Sequence, residues 1–279
     1  MPQVTLQRAT IEYRELGPAD SAHPPVLFVH GILVDHRLWL GVAEKLARNG
    51  FRCILPDWPL GSHTVPVDPG VELTPRSVAE MINEFITTLD LRDVTLVGND
   101  TGGGLCQLLI DAHPDSVGRL VLTNCDAFDK FPPFPFNVVF ATMRGPRSIT
   151  ALAGLMRFAV LRRSPLGYGL LTRPNDELTA SWIKPCSTDR RIAANLGDLL
   201  RGVAATDLTD VATRLPRFAK PVTVVWGQRD RSFTPTLGRR LAALFPHAKL
   251  IEVPDARTFV ALDAPQAVVD AIATVGASA

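Results

Sequence analysis

The sequence predicts an α/β fold: a mostly parallel central sheet with helices on both faces and one helical insertion. Three observations carry this. Short apolar runs that do not alternate recur at 26–29, 51–55, 94–98, 119–123 and 222–226, as in strands covered on both faces. Segments with helical spacing lie between them, so strands and helices alternate, and that order predicts parallel pairing. From 128 to 214 the strand runs stop, and only short helical patterns broken by proline and glycine remain.

Taken in order, residues 4–16 alternate and Gly17-Pro18 follows, which predicts an edge hairpin turned over at 17 and 18. Pro24-Pro25 introduces the run 26–29, which stops at His30-Gly31-Ile32-Leu33. Trp39, Val42, Ala43, Leu46 and Ala47 share one face of a helix over 39–49, with Gly50 as its C-cap. The run 51–55 leads into a loop from Pro56-Asp57 to Ser62-His63. Val78, Met81, Ile82, Phe85, Ile86 and Leu89 mark a helix over about 75–89. The run 94–98 passes through a glycine-bracketed corner into a helix from 102 to about 112, closed before Pro114. After 119–123, Asn124-Cys125-Asp126 opens the insertion. There Phe131-Pro132-Pro133-Phe134-Pro135-Phe136 suggests a rigid apolar loop, and 149–161 and 190–203 suggest helices. Strand logic returns at 222–226, followed by a helix at 237–244, a strand at 249–253 and a last helix at 265–275. The expected organisation is a core of 1–129 and 215–279 and a helical cap of 130–214. Ligands of open α/β sheets bind beyond the carboxyl ends of the strands, so an insertion leaving from such an end would roof the site.

Composition narrows the partners. A formal net charge of +1, with no basic stripe, argues against nucleic acid or an acidic membrane surface. The nearest approach to a basic run, Arg157 with Arg162-Arg163, fits the polar edge of a helix. No apolar leader and no run of membrane-spanning length is present. Cys53, Cys106, Cys125 and Cys186 lack C-x-x-C spacing, and three of them lie in apolar patterns, which suggests buried thiols in a reducing compartment. The expectation is a cytoplasmic protein, monomer or homodimer, that meets a small molecule. No cofactor is implied: Gly102-Gly103-Gly104 matches neither a dinucleotide loop nor a Walker A loop, and no H-x-x-x-H or H-E-x-x-H offers a metal site.

The corner at Gly98-Asn99-Asp100-Thr101-Gly102 holds the candidate chemistry. Its spacing is G-x-Nuc-x-G, with aspartate in the nucleophile position. A helix cap alone would not need glycine on both sides. The start of the following helix is expected to depress the Asp100 pKa and keep the carboxylate ionised. Oxyanion donors are expected at the backbone N–H groups of Ile32 and Thr101, with the His30 side chain as a loop support. Asp230, just past the run 222–226, is the candidate acid to orient a histidine, and Asp126 is a second candidate. Yet the segment after the last strand, Val253-Pro254-Asp255-Ala256-Arg257-Thr258-Phe259, has no histidine. His36 is the expected substitute base, ahead of His63. His30, Trp39, Phe128, Phe131, Phe136, Tyr168, Trp182, Arg257 and Thr258 are expected around the substrate, with Arg257 either favouring an anionic ligand or forming a solvent-facing salt bridge.

From about 4 to 275 the chain resembles the α/β-hydrolase fold superfamily. His30-Gly31, Pro56-Asp57 with Gly61, the Asp100 corner, Trp226-Gly227 with Asp230, and Val253-Pro254-Asp255 with Phe259 carry the resemblance. With aspartate at the corner it is most similar to the branch of haloalkane dehalogenases and epoxide hydrolases. The resemblance implies that Asp100 attacks an sp3 carbon to form an ester, which a histidine-activated water then hydrolyses. It also implies that Asp230 takes the main acid position and Asp126 the alternative acid position of some dehalogenases. The chain departs from that pattern by Thr258 in place of histidine, Thr101 in place of tryptophan and Ile32 in place of the halide-holding asparagine. Tyr168 is the only tyrosine of the insertion, where epoxide hydrolases usually offer two. Hydrolysis of epoxide- or ester-like bonds is the leading expectation. The alternatives are acid or base catalysis by Asp100 in a non-hydrolytic step, such as a rearrangement, elimination or cyclisation, and non-catalytic binding of a small molecule.

Overall fold

A computed structural model describes residues 1–143 and 145–276; position 144 of the expected cap and 277–279 of the expected core lie outside the described residues. Eight strands form one sheet: β1 Gln3–Thr5, β2 Thr10–Leu16, β3 Val26–Val29, β4 Cys53–Pro56, β5 Val94–Asp100, β6 Val117–Cys125, β7 Val222–Gly227 and β8 Ala248–Val253. Their order is β1-β2-β4-β3-β5-β6-β7-β8, antiparallel through β1, β2 and β4 and parallel from β4 to β8. β3, β4 and β7 are buried at every residue, which is why their sequences show no alternation. The first hairpin turns between β1 and β2, where the Leu6 N–H donates to the Ala9 carbonyl (2.8 Å), and not at 17 and 18 as its sequence suggested. Gly17-Pro18 instead leads the chain out of β2.

Helices cover both faces for a reason of handedness. From β3 the chain passes through the helix Leu40–Arg48 to β4 on one side, then through Pro75–Thr88 to β5 on the other. Right-handed crossovers in opposite directions place the two helices on opposite faces. Leu40–Arg48 packs with Pro265–Thr274, and Pro75–Thr88 with Thr101–Ala112. The reversal of direction between β3 and β5 opens a crevice at their carboxyl ends. Val29 pairs with Gly98, so the two strands end level and deliver Gly31 and Asp100 side by side.

Between β6 and β7 the described residues form helices and no strand: Phe136–Thr142, Pro146–Leu155, Ala159–Arg162, Asp176–Thr188, Arg190–Ala204, Thr209–Ala212 and the short turn Leu215–Arg217. Phe136–Thr142 begins at the end of the stretch expected as a rigid loop. Asp176–Thr188 was not anticipated, because Pro185 near its end obscures the pattern; the Asn175 side chain caps its start by accepting from the Leu178 N–H (3.2 Å). The single helix expected over 149–161 is two, parted by a turn at 156–158. Among the described residues no helix is long and apolar enough to cross a membrane. All four cysteines are buried and unpaired with one another.

Candidate active site

Asp100 ends β5 at φ 54° and ψ −133°, a strained region for a residue with a Cβ, and the helix Thr101–Ala112 starts at the next position. The flanking glycines are required by close approach. A Cβ at Gly98 would lie 2.7 Å from Cys106 Sγ, and one at Gly102 would lie 2.3 Å from the Val29 carbonyl oxygen. A Cβ at Gly31 would lie 2.1 Å from Asp100 Oδ2, so the loop after β3 rests directly on the carboxylate. The Asp100 side chain makes no capping bond to its helix. The backbone amides of Thr101 and Ile32 favour its ionised form. Leu33, at φ 55°, turns the chain after Ile32, and its N–H donates to the Leu60 carbonyl (2.9 Å).

Electrostatics correct the expectation that Asp100 is held firmly ionised. Burial raises its pKa from the ordinary 3.8 to about 7; the Thr101 and Ile32 amides oppose that rise, and the charge of Asp230 adds to it. Asp230 is also raised by burial, to about 6, against the pull of its donors. Its Oδ2 accepts from the Thr258 hydroxyl (2.7 Å) and Asn124 Nδ2 (2.9 Å), and its Oδ1 from the Ser232 and Phe233 amides (2.8 and 2.9 Å). Thr258 therefore bonds to the candidate acid where an imidazole would stand. Asp126 does not share that task. It is fully buried, neither carboxyl oxygen has a hydrogen-bond partner among the described residues, and burial and the charge of Asp100 push its pKa well up.

Two asparagines that sequence reasoning did not single out brace these loops. Asn99 Nδ2 donates to Thr123 Oγ1 (2.8 Å), to the Asn124 carbonyl (3.0 Å) and to the Thr258 carbonyl (2.8 Å). Asn124 accepts from the Gly227 N–H (2.6 Å) while donating to Asp230. The available signal was an amide inside an otherwise apolar strand, which needs buried partners.

The histidines lie elsewhere. His36, the expected substitute base, is tied to Asp57 through its ring Nδ1 (2.9 Å) and its backbone N–H (2.8 Å), and it does not line the cavity over Asp100. His30 supports its loop: Nε2 accepts from the Trp58 N–H (2.9 Å), which leaves Nδ1 to donate to the Gly31 carbonyl (2.9 Å). Burial lowers the His63 pKa to about 4, and its ring accepts from the Gly61 N–H (3.3 Å). Asp35, His36 and Asp57 converge as a metal-binding set would. Their atoms are already engaged, because Asp35 accepts from Arg37 and from Trp182 Nε1 (2.9 Å) while Asp57 accepts from His36.

Asp100 opens onto an apolar cavity with about 100 Å³ of water-accessible space. Of the residues expected around it, Ile32, Thr101, Phe136 and Tyr168 line it. The other expected residues do not. Trp39 packs on Phe28, and Phe128 lies beneath the Arg240 guanidinium. Phe131 packs beside Gly104, and Trp182 backs Tyr168 and Phe259. Arg257 Nη1 donates to the Gly169 and Thr172 carbonyls (3.1 and 2.8 Å), and His30 and Thr258 are buried behind the wall. The wall is made instead by Pro132, Pro133, Val139, Phe140, Met143, Ile149, Leu152, Ala153 and Met156, with Ile183 and Cys186 from the helix Asp176–Thr188. Val139, Phe140, Met143, Ile183 and Cys186 sit on or at the end of helices the sequence did not reveal. Tyr168 holds its place by donating its hydroxyl to the Leu33 carbonyl (2.6 Å).

A family model described as alpha/beta hydrolase fold matches residues 24–265. The chain belongs to the α/β-hydrolase fold family. Within that family it is similar to haloalkane dehalogenase 2 of Mycobacterium tuberculosis, 28% identical over 276 residues that cover 95% of this chain and 91% of that protein. It is also similar to a non-heme chloroperoxidase of Kitasatospora aureofaciens, 27% identical over 235 residues, covering 81% and 82%. The solved structure of a haloalkane dehalogenase from Bradyrhizobium elkani shares the fold with a TM-score of 0.78 at 21% identity, covering 100% of this chain and 99% of that one. Relatives with such different names show a common scaffold whose chemistry is set by the site.

Proposed function

We propose that this protein is a hydrolase-type enzyme acting on a small to medium-sized, largely apolar molecule, with Asp100 as the attacking carboxylate and the segment 130–214 as its cap. One observation carries this: a carboxylate held at a strained corner, beside Ile32 and Thr101 in the wall of an apolar cavity. One carboxylate oxygen forms a bond to an electrophilic carbon, and the leaving oxygen departs with the electron pair and takes a proton from water. In the resulting ester the carbonyl oxygen rests against the Ile32 and Thr101 amides, polarised for attack by water. That water must lose a proton. The group bonded to Asp230 is the Thr258 hydroxyl, which is not a base at neutral pH. The ester therefore accumulates. Tyr168, its hydroxyl committed to Leu33, is held away from the role of acid donor to an epoxide oxygen.

Intact-mass spectrometry after exposure to epoxide, ester and haloalkane panels tests this. The expected result is a single adduct on the peptide containing Asp100, slow to decay, and absent in Asp100→Asn. Thr258→His is expected to speed its release by about 100-fold or more, the usual contribution of a placed general base. Rapid multiple turnover by the unaltered protein with no adduct would overturn the proposal.

The pKa of about 7 supports a second reading, in which Asp100 exchanges a proton with substrate in a rearrangement, elimination or cyclisation. Its signature is a product isomeric with the substrate, or an elimination product, with no adduct at any time and activity lost in Asp100→Asn.

A further inference from the structure

A second cavity shares Tyr168 with the one over Asp100, but its chemistry is the opposite. It has about 260 Å³ of water-accessible space and is lined by Arg162, Arg163, Arg173 and Arg257, with Asp176 and Thr179 among the others. Arg162 is the informative member. It is only 5% exposed, yet its guanidinium is in no ion pair among the described residues. Nε donates to Thr179 Oγ1 (3.2 Å), Nη1 to the Met156 and Arg157 carbonyls (2.7 and 2.8 Å) and Nη2 to the Asp176 carbonyl (3.2 Å). Arg257 likewise spends Nη1 on two backbone carbonyls, and its guanidinium has no carboxylate partner among the described residues. Arg173 is exposed, and among the described residues it bonds through its backbone N–H alone.

Two carboxylates face this group. Asp176 is paired with Arg163. Asp263 accepts from neutral donors, the Thr172 hydroxyl (3.2 Å) and the backbone N–H groups of Arg173 (3.3 Å) and Arg257 (2.9 Å). Four guanidinium groups thus meet two carboxylates, in a recess where the buried Arg162 makes no ion pair among the described residues. Carbonyl dipoles offset part of that cost, but a buried charge is ordinarily paired. Guanidinium forks match the geometry of carboxylate and phosphate oxygens.

We propose that this cavity binds an oxyanion, phosphate or carboxylate, with Arg173 and Arg257 making the contacts and Arg162 supplying a fixed positive field. The anion comes either as a free ion or as the polar end of a molecule whose apolar part occupies the neighbouring cavity.

Isothermal titration with sodium phosphate, acetate and decanoate, at an ionic strength held constant with chloride, tests this. Saturable binding with one site per chain is expected for at least one of the three. Arg173→Gln and Arg257→Gln are each expected to weaken it by about tenfold or more, the usual effect of losing a charged hydrogen bond. Arg173 is exposed, so Arg173→Gln keeps the parent's melting curve and isolates the loss of charge. Phosphate binding that is unchanged by Ala153→Phe, which fills the other cavity, points to a free ion. Decanoate binding far tighter than acetate and weakened by Ala153→Phe points to the polar end of a larger molecule. No saturable binding of any of the three, or binding unaltered by both arginine substitutions, overturns the proposal.

Discussion

At Asp100 the burial that aims the carboxylate into the cavity also resists its ionisation. Its folded-state pKa of about 7 lies above the ordinary 3.8, so between those values the folded state binds a proton that the unfolded state has released. The stability this supplies is fully present below about pH 4 and is lost as pH rises through about 7. Asp100→Asn removes the dependence. Urea melts should find the variant more stable than its parent at about pH 8, by on the order of a few kcal/mol, with the gap closing toward about pH 4. Adduct formation should move the opposite way, rising with pH and levelling above about 7, because only the ionised carboxylate attacks. A stability difference that is flat across this range would mean that Asp100 does not titrate there. None of this was legible in the sequence. The start of a helix next to Asp100 argues for a depressed pKa, and the opposite shift depends on how deeply the surrounding chain and Asp230 enclose the group.

At the scale of the element, the β5 corner shows how a short motif encodes a tertiary approach. Gly102 presses against the backbone of β3, whose carbonyls cannot retreat as a side chain could. Gly102→Ala is expected to cost about 3 kcal/mol or more by overpacking. Gly41 in the helix Leu40–Arg48 has nothing within 4 Å of an added Cβ, and Gly41→Ala should stabilise by roughly 0.5–1 kcal/mol through helix propensity. Chemical denaturation of the two variants side by side checks both signs. The glycine spacing was readable because each glycine answers a local steric demand. Phe136–Thr142 was not, because proline-rich flanks hide a helix whose apolar face is defined only by the cavity it closes.

Across the whole molecule, the helical segment is tied to the sheet through the loops after β3 and β4. Trp182 Nε1 donates to Asp35 Oδ1 (2.9 Å), the Ser62 hydroxyl to the Trp182 carbonyl (2.8 Å) and the Tyr168 hydroxyl to the Leu33 carbonyl (2.6 Å). Trp182 is fully buried, so Trp182→Phe keeps most of the packing and removes one bond. Expected are a loss of about 1 kcal/mol and faster hydrogen exchange across 176–188, with β5 and β7 unchanged. Uniform acceleration over the whole chain would show instead that the segment and the sheet open as one unit.

The amino-acid sequence alone determined the alternation of strands and helices outside the helical segment, the aspartate at the corner and the want of an imidazole after the last strand. These follow from periodicity, glycine spacing and residue identity, all of which are local. Tertiary structure decided that Asp230 and not Asp126 holds residue 258, that His36 belongs to Asp57, and that Arg257 turns from the apolar cavity to a cationic one. Those outcomes depend on which side chains meet across the crevice between β3 and β5. Packing and desolvation settle that only when distant segments close on one another.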